Sequence, residues 1–85
     1  MTTIERASAL SGVPVSAIVG PSRLRAICIV RWAAMTALRR KGMSYPAIGR
    51  QFGRHHTTVM NGIAKGETYA LFDDRYSSLV EALAA

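Results

Sequence analysis

The chain has 85 residues, 49% of them hydrophobic, and a formal net charge of +6 from 11 Lys+Arg against 5 Asp+Glu. This length excludes a separate catalytic or nucleotide-binding domain beside the core. The apolar content, with only 19% charged residues, excludes a disordered chain. Cys28 is alone, so no internal disulfide forms and a reducing cytoplasm fits. No apolar run reaches the roughly 20 residues of a membrane span. The start, Met1 to Arg6, lacks the basic and apolar regions of a secretory signal.

The charge is unevenly spread. Nine of the 11 cations lie between Arg23 and Lys65, and no acid occurs between Glu5 and Glu67. From Gly66 onward there are four acids, Glu67, Asp73, Asp74 and Glu81, against Arg75. A basic block that excludes acids points to a polyanionic partner, nucleic acid first.

The predicted elements are all helices, because apolar residues recur at spacings of three and four. The first runs over Thr3–Ser11, with Thr2 and Glu5 at capping-box spacing, Gly12 closing it, and Ile4, Ala7 and Leu10 inward. A short turn over Val15–Val19 follows Pro14. Gly20 to Arg25 reads as a basic loop, with Ser22 expected to cap the next helix. That third helix, Leu24–Lys41, carries Leu24, Ile27, Cys28, Met35 and Leu38 as its apolar stripe. Its end, Arg39-Arg40-Lys41-Gly42, suits a helix C-terminus, and the three cations read as phosphate contacts. The fourth helix spans Tyr45–Phe52, with Ser44 as cap and Pro46 in the first turn. A turn at Gly53-Arg54-His55 leads to a fifth, His56–Leu71. Asp73 caps a sixth over Asp74–Leu83, with Tyr76, Leu79, Val80 and Leu83 inward.

Residues 44–71 read as a helix-turn-helix inside a single domain that spans residues 1–85. Ile48 and Phe52 lie one turn apart, Gly49 is small where the helices cross, and Val59 and Ile63 pack the second helix back. At roughly 100° per residue, Thr57, Asn61, Lys65 and Thr58 share one arc, while Val59, Met60, Ile63, Ala64 and Leu71 occupy the other with Glu67. Short polar groups at a helix N-terminus allow close approach to base edges in the major groove. The same residues also suit plain capping and a solvated face. The acid-free surroundings favour the reading role.

These residues carry a resemblance. Arg31-Trp-Ala-Ala-Met35, Ser44-Tyr-Pro-Ala-Ile-Gly49 and Phe52-Gly-Arg-His-His-Thr-Thr-Val59 are similar to the signature of the DNA-binding domain of the bacterial replication initiator DnaA. The resemblance spans about Thr3 to Leu83. It implies an all-α, Trp-repressor-like bundle of five to six helices and double-stranded DNA as partner. By matched position it implies base contacts from His56 and Thr57, with Thr58 beside them, and a minor-groove contact from Arg23; His55 at the helix start and Asn61 on the polar arc complete the expected base-contact set. It implies backbone contacts from Arg25, Arg31, Arg39, Tyr45 and Pro46. Trp32 stands where the family meets the backbone, and Arg54 and Lys65 complete the basic set around the turn and reading helix.

Three departures from the family pattern stand out. His55 replaces an Asp that caps the reading helix and takes part in base recognition. The turn lacks one Gly. No Gly-x-x-x-x-Gly-Lys-Ser/Thr phosphate loop is present. The expectation is therefore a DNA-binding domain without ATPase activity, standing alone as in phage-borne proteins, or excised from a larger one. It is cytoplasmic, needs no cofactor or metal, and is not an enzyme, since no nucleophile, base and orienting group fall together. No heptad seam forces a dimer, so a monomer on DNA is expected. Two other readings stay open. One is a phage-type regulator with its own operator. The other is an adaptor that docks a host protein through Tyr69, Phe72 and Tyr76.

Overall fold

The computed structural model describes residues 1–85 and consists of six helices without a strand. They are α1 Thr3–Ser11, α2 Val15–Ile18, α3 Arg25–Arg40, α4 Tyr45–Phe52, α5 His56–Tyr69 and α6 Asp74–Ala84. The all-α helix-turn-helix bundle expected from the sequence is the fold observed.

Local chemistry sets most helix ends. The Thr2 hydroxyl accepts from the Glu5 amide at 3.1 Å, and the Glu5 carboxylate accepts from the Thr2 amide at 2.8 Å. This reciprocal pair satisfies two amides that a helix start otherwise leaves open. Gly12, with φ 77°, ends α1 in the left-handed conformation that a Cβ disfavours. Ser44 caps α4 by accepting from Ala47 at 3.2 Å, and Asp73 caps α6 by accepting from Arg75 at 2.9 Å. The cap of α3 differs from expectation. Leu24 holds that position with no side-chain bond, and Ser22 lies two residues earlier, accepting from the Leu24 amide at 3.3 Å within the loop. At the far end of the chain, Ala70 rather than Leu71 closes α5.

Helix α3 is the axis of the bundle. It packs against all five other helices, and residues Cys28 to Leu38 are buried apart from the half-buried Trp32. One apolar stripe therefore describes it poorly, and Leu24, at its entry, is 69% exposed. The main core joins Ile4 and Ala7 of α1, Ile18 of α2, Val30 to Leu38 of α3, Ile48 and Phe52 of α4, Val59 and Ile63 of α5, and Leu83 of α6. A smaller cluster joins Ile29 and Ala33 to Tyr76 and Val80 of α6. Leu10 was expected inward and is 57% exposed. Each three-residue step drifts by about 60° around a helix, so Leu10 lies roughly 120° away from Ile4.

Two glycines let α5 sit close to its neighbours. A Cβ at Gly62 would stand 2.9 Å from Cδ1 of Trp32 and 3.2 Å from Sδ of Met35, and one at Gly66 would overlap the Tyr76 ring. The inward face of α5 is therefore Val59, Gly62, Ile63 and Gly66. Met60, Ala64, Glu67 and Leu71, which helical spacing places on the inward arc, are exposed. The Tyr76 hydroxyl meets the Thr36 hydroxyl at 2.6 Å, both groups buried. Burial pushes the Tyr76 phenol pKa up, against the Thr36 hydrogen bond, which lowers it. Tyr76 is thus a core residue and is unavailable for the docking role considered from sequence. On the other side, Arg6 donates to the last carbonyls of α6, Ala82 at 2.8 Å and Leu83 at 3.3 Å.

Gly66→Ala is expected to lower stability. Overpacking costs about 1–3 kcal/mol and outweighs the ~1 kcal/mol gained in helix propensity. Tyr76→Phe leaves the buried Thr36 hydroxyl unpaired and should cost about 1–3 kcal/mol. Thermal unfolding measures both, and an unchanged midpoint for Gly66→Ala would show that the α5–α6 approach is not tight.

The Glu5 carboxyl is held below its usual pKa by the Thr2 amide and hydroxyl, and that of Asp73 by hydrogen bonds from the Arg75 side chain and backbone. A depressed folded pKa gives stability that is full above the unfolded pKa and lost as pH falls through the folded one. Melting temperature should therefore drop below about pH 4. The double variant Glu5→Gln, Asp73→Asn should flatten that drop.

Candidate nucleic-acid interface

The basic loop between α2 and α3 is built around one buried cation. Arg31 is 6% exposed. Its Nε donates to the Ile18 carbonyl at 2.7 Å. One terminal nitrogen donates to the Ser22 carbonyl at 2.9 Å and to Cys28 Sγ at 3.7 Å. The other donates to the Ala17 carbonyl at 3.0 Å and the Gly20 carbonyl at 2.8 Å. A guanidinium has five N–H donors, so none is left over. This corrects the expected phosphate contact. Arg31 positions the loop from inside and has no donor to offer DNA.

Arg54 extends the arrangement to the helix-turn-helix. It donates to Val19 at 3.1 Å, to Gly20, and to the Phe52 carbonyl of its own turn at 2.8 Å. Both arginines share the Gly20 carbonyl. Burial lowers the Arg54 pKa first, and the neighbouring Arg31 charge lowers it further. Arg54 thus ties the basic loop to the start of α5, a role its place in the basic set did not reveal. In the turn, the Gly53 and Arg54 amides both bond the Gly49 carbonyl. A Cβ at Gly49 would overlap the Arg54 carbonyl, which leaves room for no other residue there. Gly53 has φ 63°, in the left-handed region.

Helix α5 begins at His56 with an exposed polar end. His55 is its N-cap, and its Nδ1 accepts from the Thr57 amide at 3.3 Å and lies 2.9 Å from the Thr57 hydroxyl. The His55 and His56 rings stand 4.2 Å apart at an interplanar angle of 37°. His55, His56, Thr57, Thr58, Asn61 and Lys65 are all exposed, while Val59 and Ile63 fasten the helix to the core. The polar arc is exposed as the wheel predicts, while the buried arc is narrower and shifted to Val59, Gly62, Ile63 and Gly66.

The remaining cations divide by partner. Arg23 and Arg25 are exposed on the loop side, and Arg25 lies over the Tyr69 ring at 5.4 Å. Arg25 and Lys65 line one groove with Trp32 and Phe72. Trp32 is half-buried, its ring edge against Gly62, so packing α3 on α5 is its first role. Arg39 stacks over Tyr45 at 4.4 Å and donates to the Met43 carbonyl at 3.2 Å, beside the first turn of α4 with its exposed Pro46. Arg40 and Lys41 depart from expectation. Arg40 pairs with Glu81 of α6 at 2.8 Å, and Lys41 Nζ reaches the Thr3 hydroxyl at 3.2 Å. Successive residues on a helix point about 100° apart, so a run of three cations cannot share one face. Arg50, exposed in the last turn of α4 without an acidic partner, was not among the residues selected from sequence.

A polar, exposed helix start, joined through a glycine-closed turn to a second helix and stapled to a cationic loop, defines a helix-turn-helix DNA-binding domain. The chain belongs to the bacterial DnaA helix-turn-helix family, whose profile, described as "Bacterial dnaA protein helix-turn-helix", matches residues 3–65. It is 41% identical over 73 residues to the chromosomal replication initiator protein DnaA of Ruegeria pomeroyi, covering 84% of this chain and 16% of that protein. Against the DnaA proteins of Thermomicrobium roseum and Acinetobacter baumannii the identities are 39% over 75 residues and 38% over 77, covering 86% and 84% of this chain. It spans 16% and 17% of those two proteins' lengths.

Arg31→Lys keeps the charge but not the fork of donors. It should lower unfolding free energy by about 2 kcal/mol or more and speed amide exchange across residues 17–24. A surface phosphate contact predicts the opposite pattern: unchanged stability, and a DNA-binding salt slope reduced by about one.

Proposed function

We propose that this protein binds duplex DNA sequence-specifically, at a site of DnaA-box type. The N-terminal end of α5 enters the major groove, where His55, His56, Thr57, Thr58 and Asn61 meet base edges. The loop, held rigid from inside by Arg31, offers Arg23 to the adjacent minor groove. Arg25, Arg39, Tyr45, Pro46 and Lys65 meet phosphates, with Arg54 joining the two reading elements and Trp32 supporting α5 from behind. The observation that carries this reading is the Arg54 bridge, which ties the basic loop to the turn before an exposed polar helix start. The relatives are named chromosomal replication initiators. Occupancy of such sites by this domain competes with an initiator at an origin or alters transcription from nearby promoters, and neither outcome requires ATP hydrolysis by this domain.

A fluorescent duplex carrying a DnaA box and a scrambled duplex of equal composition, titrated at physiological salt, test the claim. Specific binding at least about a thousandfold tighter to the box is expected, and equal affinities overturn it. Thr57→Ala should reduce that ratio by about five- to a hundredfold, and Lys65→Ala should weaken both duplexes alike and lower the salt slope by about one.

A further inference from the structure

Among the base-facing residues, one has its hydrogen-bonding state fixed by the fold. His55 caps α5 through Nδ1, which accepts the Thr57 amide at 3.3 Å. An amide in the first turn has no partner within the helix, so losing this acceptor leaves it open. The Thr57 hydroxyl, 2.9 Å from the same nitrogen, can rotate to donate to it as well. A neutral imidazole carries one N–H. With Nδ1 accepting, that proton sits on Nε2, across the ring and on the exposed side of the cap. Protonating the ring leaves Nε2 a donor. The outward edge of His55 therefore donates and does not accept.

Base pairs differ in what they offer such a group. In the major groove guanine shows two acceptors, N7 and O6, whereas cytosine shows only the N4 amino donor. Adenine and thymine each show one acceptor beside a donor or a methyl. We infer that His55 is a specificity-determining residue that selects guanine and rejects cytosine at the base position facing the start of α5. The inference rests on the proposed duplex-reading role of α5 and adds the identity of one base.

The test is selection of bound sites from a random duplex pool, run in parallel with the wild-type protein and with His55→Asp and His55→Asn. Aspartate and asparagine are both good helix caps, so each variant keeps the helix start. Aspartate only accepts, and asparagine both donates and accepts. The wild type should enrich a site with guanine over cytosine at one position by about fivefold or more, the lower end for a well-placed base contact. His55→Asp should turn that position to cytosine or adenine, and His55→Asn should turn it toward adenine, whose N7 and N6 match the amide's donor and acceptor, with other positions unchanged. A site that emerges with cytosine there, or that stays identical in the variants, overturns the role of His55 and leaves the duplex-reading function standing. If none of the three proteins enriches any sequence, both fall. If His55→Asp alone enriches none, His55→Asn decides: a position turned away from guanine supports the inference and an unaltered one overturns it.

Discussion

The buried guanidinium of Arg31 is the constraint on which the interface depends. Removing a full charge from water costs several kcal/mol unless close partners replace the solvent. Most proteins supply a carboxylate. Here the partners are the Ala17, Ile18, Gly20 and Ser22 carbonyls and the Cys28 sulfur. All of the carbonyls belong to the end of α2 and the loop behind it. The consequence is twofold. The loop, which has little core of its own, takes its shape from a side chain of the most buried helix. The positive charge also survives, because carbonyl dipoles offset desolvation without cancelling it. A carboxylate partner would take the donors that now hold these carbonyls and would also cancel a unit of charge beside the proposed DNA site.

Arg54 repeats this logic one element further along. Its donors reach the Val19, Gly20 and Phe52 carbonyls, so one side chain joins the loop to the turn before α5. Burial lowers the Arg54 pKa first, and repulsion from the Arg31 charge that shares the Gly20 carbonyl lowers it further. The close-packed turn makes that cost bearable. Gly49 lets the Arg54 backbone approach α4 closely, and Gly53 supplies the left-handed turn that places it there. On the proposed reading, the loop and the start of α5 are linked before they meet DNA, and the entropy of arranging them is spent during folding.

Much of this was legible in the sequence. Capping residues at Thr2, Ser44 and Asp73 and the glycines at 12 and 53 mark helix ends through local backbone chemistry, which needs no tertiary information. The polar arc of α5 was equally legible, since periodicity reports which residues share a face. What escaped was decided by neighbours distant in sequence. Arg31 reads as a cation beside an apolar stripe, and nothing local says that five acceptors from residues 17–28 will surround it. Gly62 and Gly66 carry no hydrophobic signal, yet they form the inward face because the rings of Trp32 and Tyr76 fill the space a side chain would take. Arg40 and Lys41 look like a continuation of Arg39 until α6 and α1 supply Glu81 and Thr3.

The same placement explains how an 85-residue chain carries a net charge of +6 without a repulsive core. Its acids are used where they do structural work away from the reading arc. Glu5 closes the start of α1, Asp73 starts α6 and grips Arg75, and Glu81 draws Arg40 toward α6. Even within α5 the signs are kept apart. Lys65 and Glu67 are two residues apart in sequence and therefore roughly 200° apart around the helix. Pairing Arg40 with Glu81 removes one cation from the polyanion-facing set while fastening α3 to α6, the largest of the helix contacts that support α5 from behind. Arg23, Arg25, Arg39, Lys41, Arg50 and Lys65 are left exposed without acidic partners. Unpaired cations of this kind act on a polyanion over about a Debye length, ~8–10 Å at physiological salt.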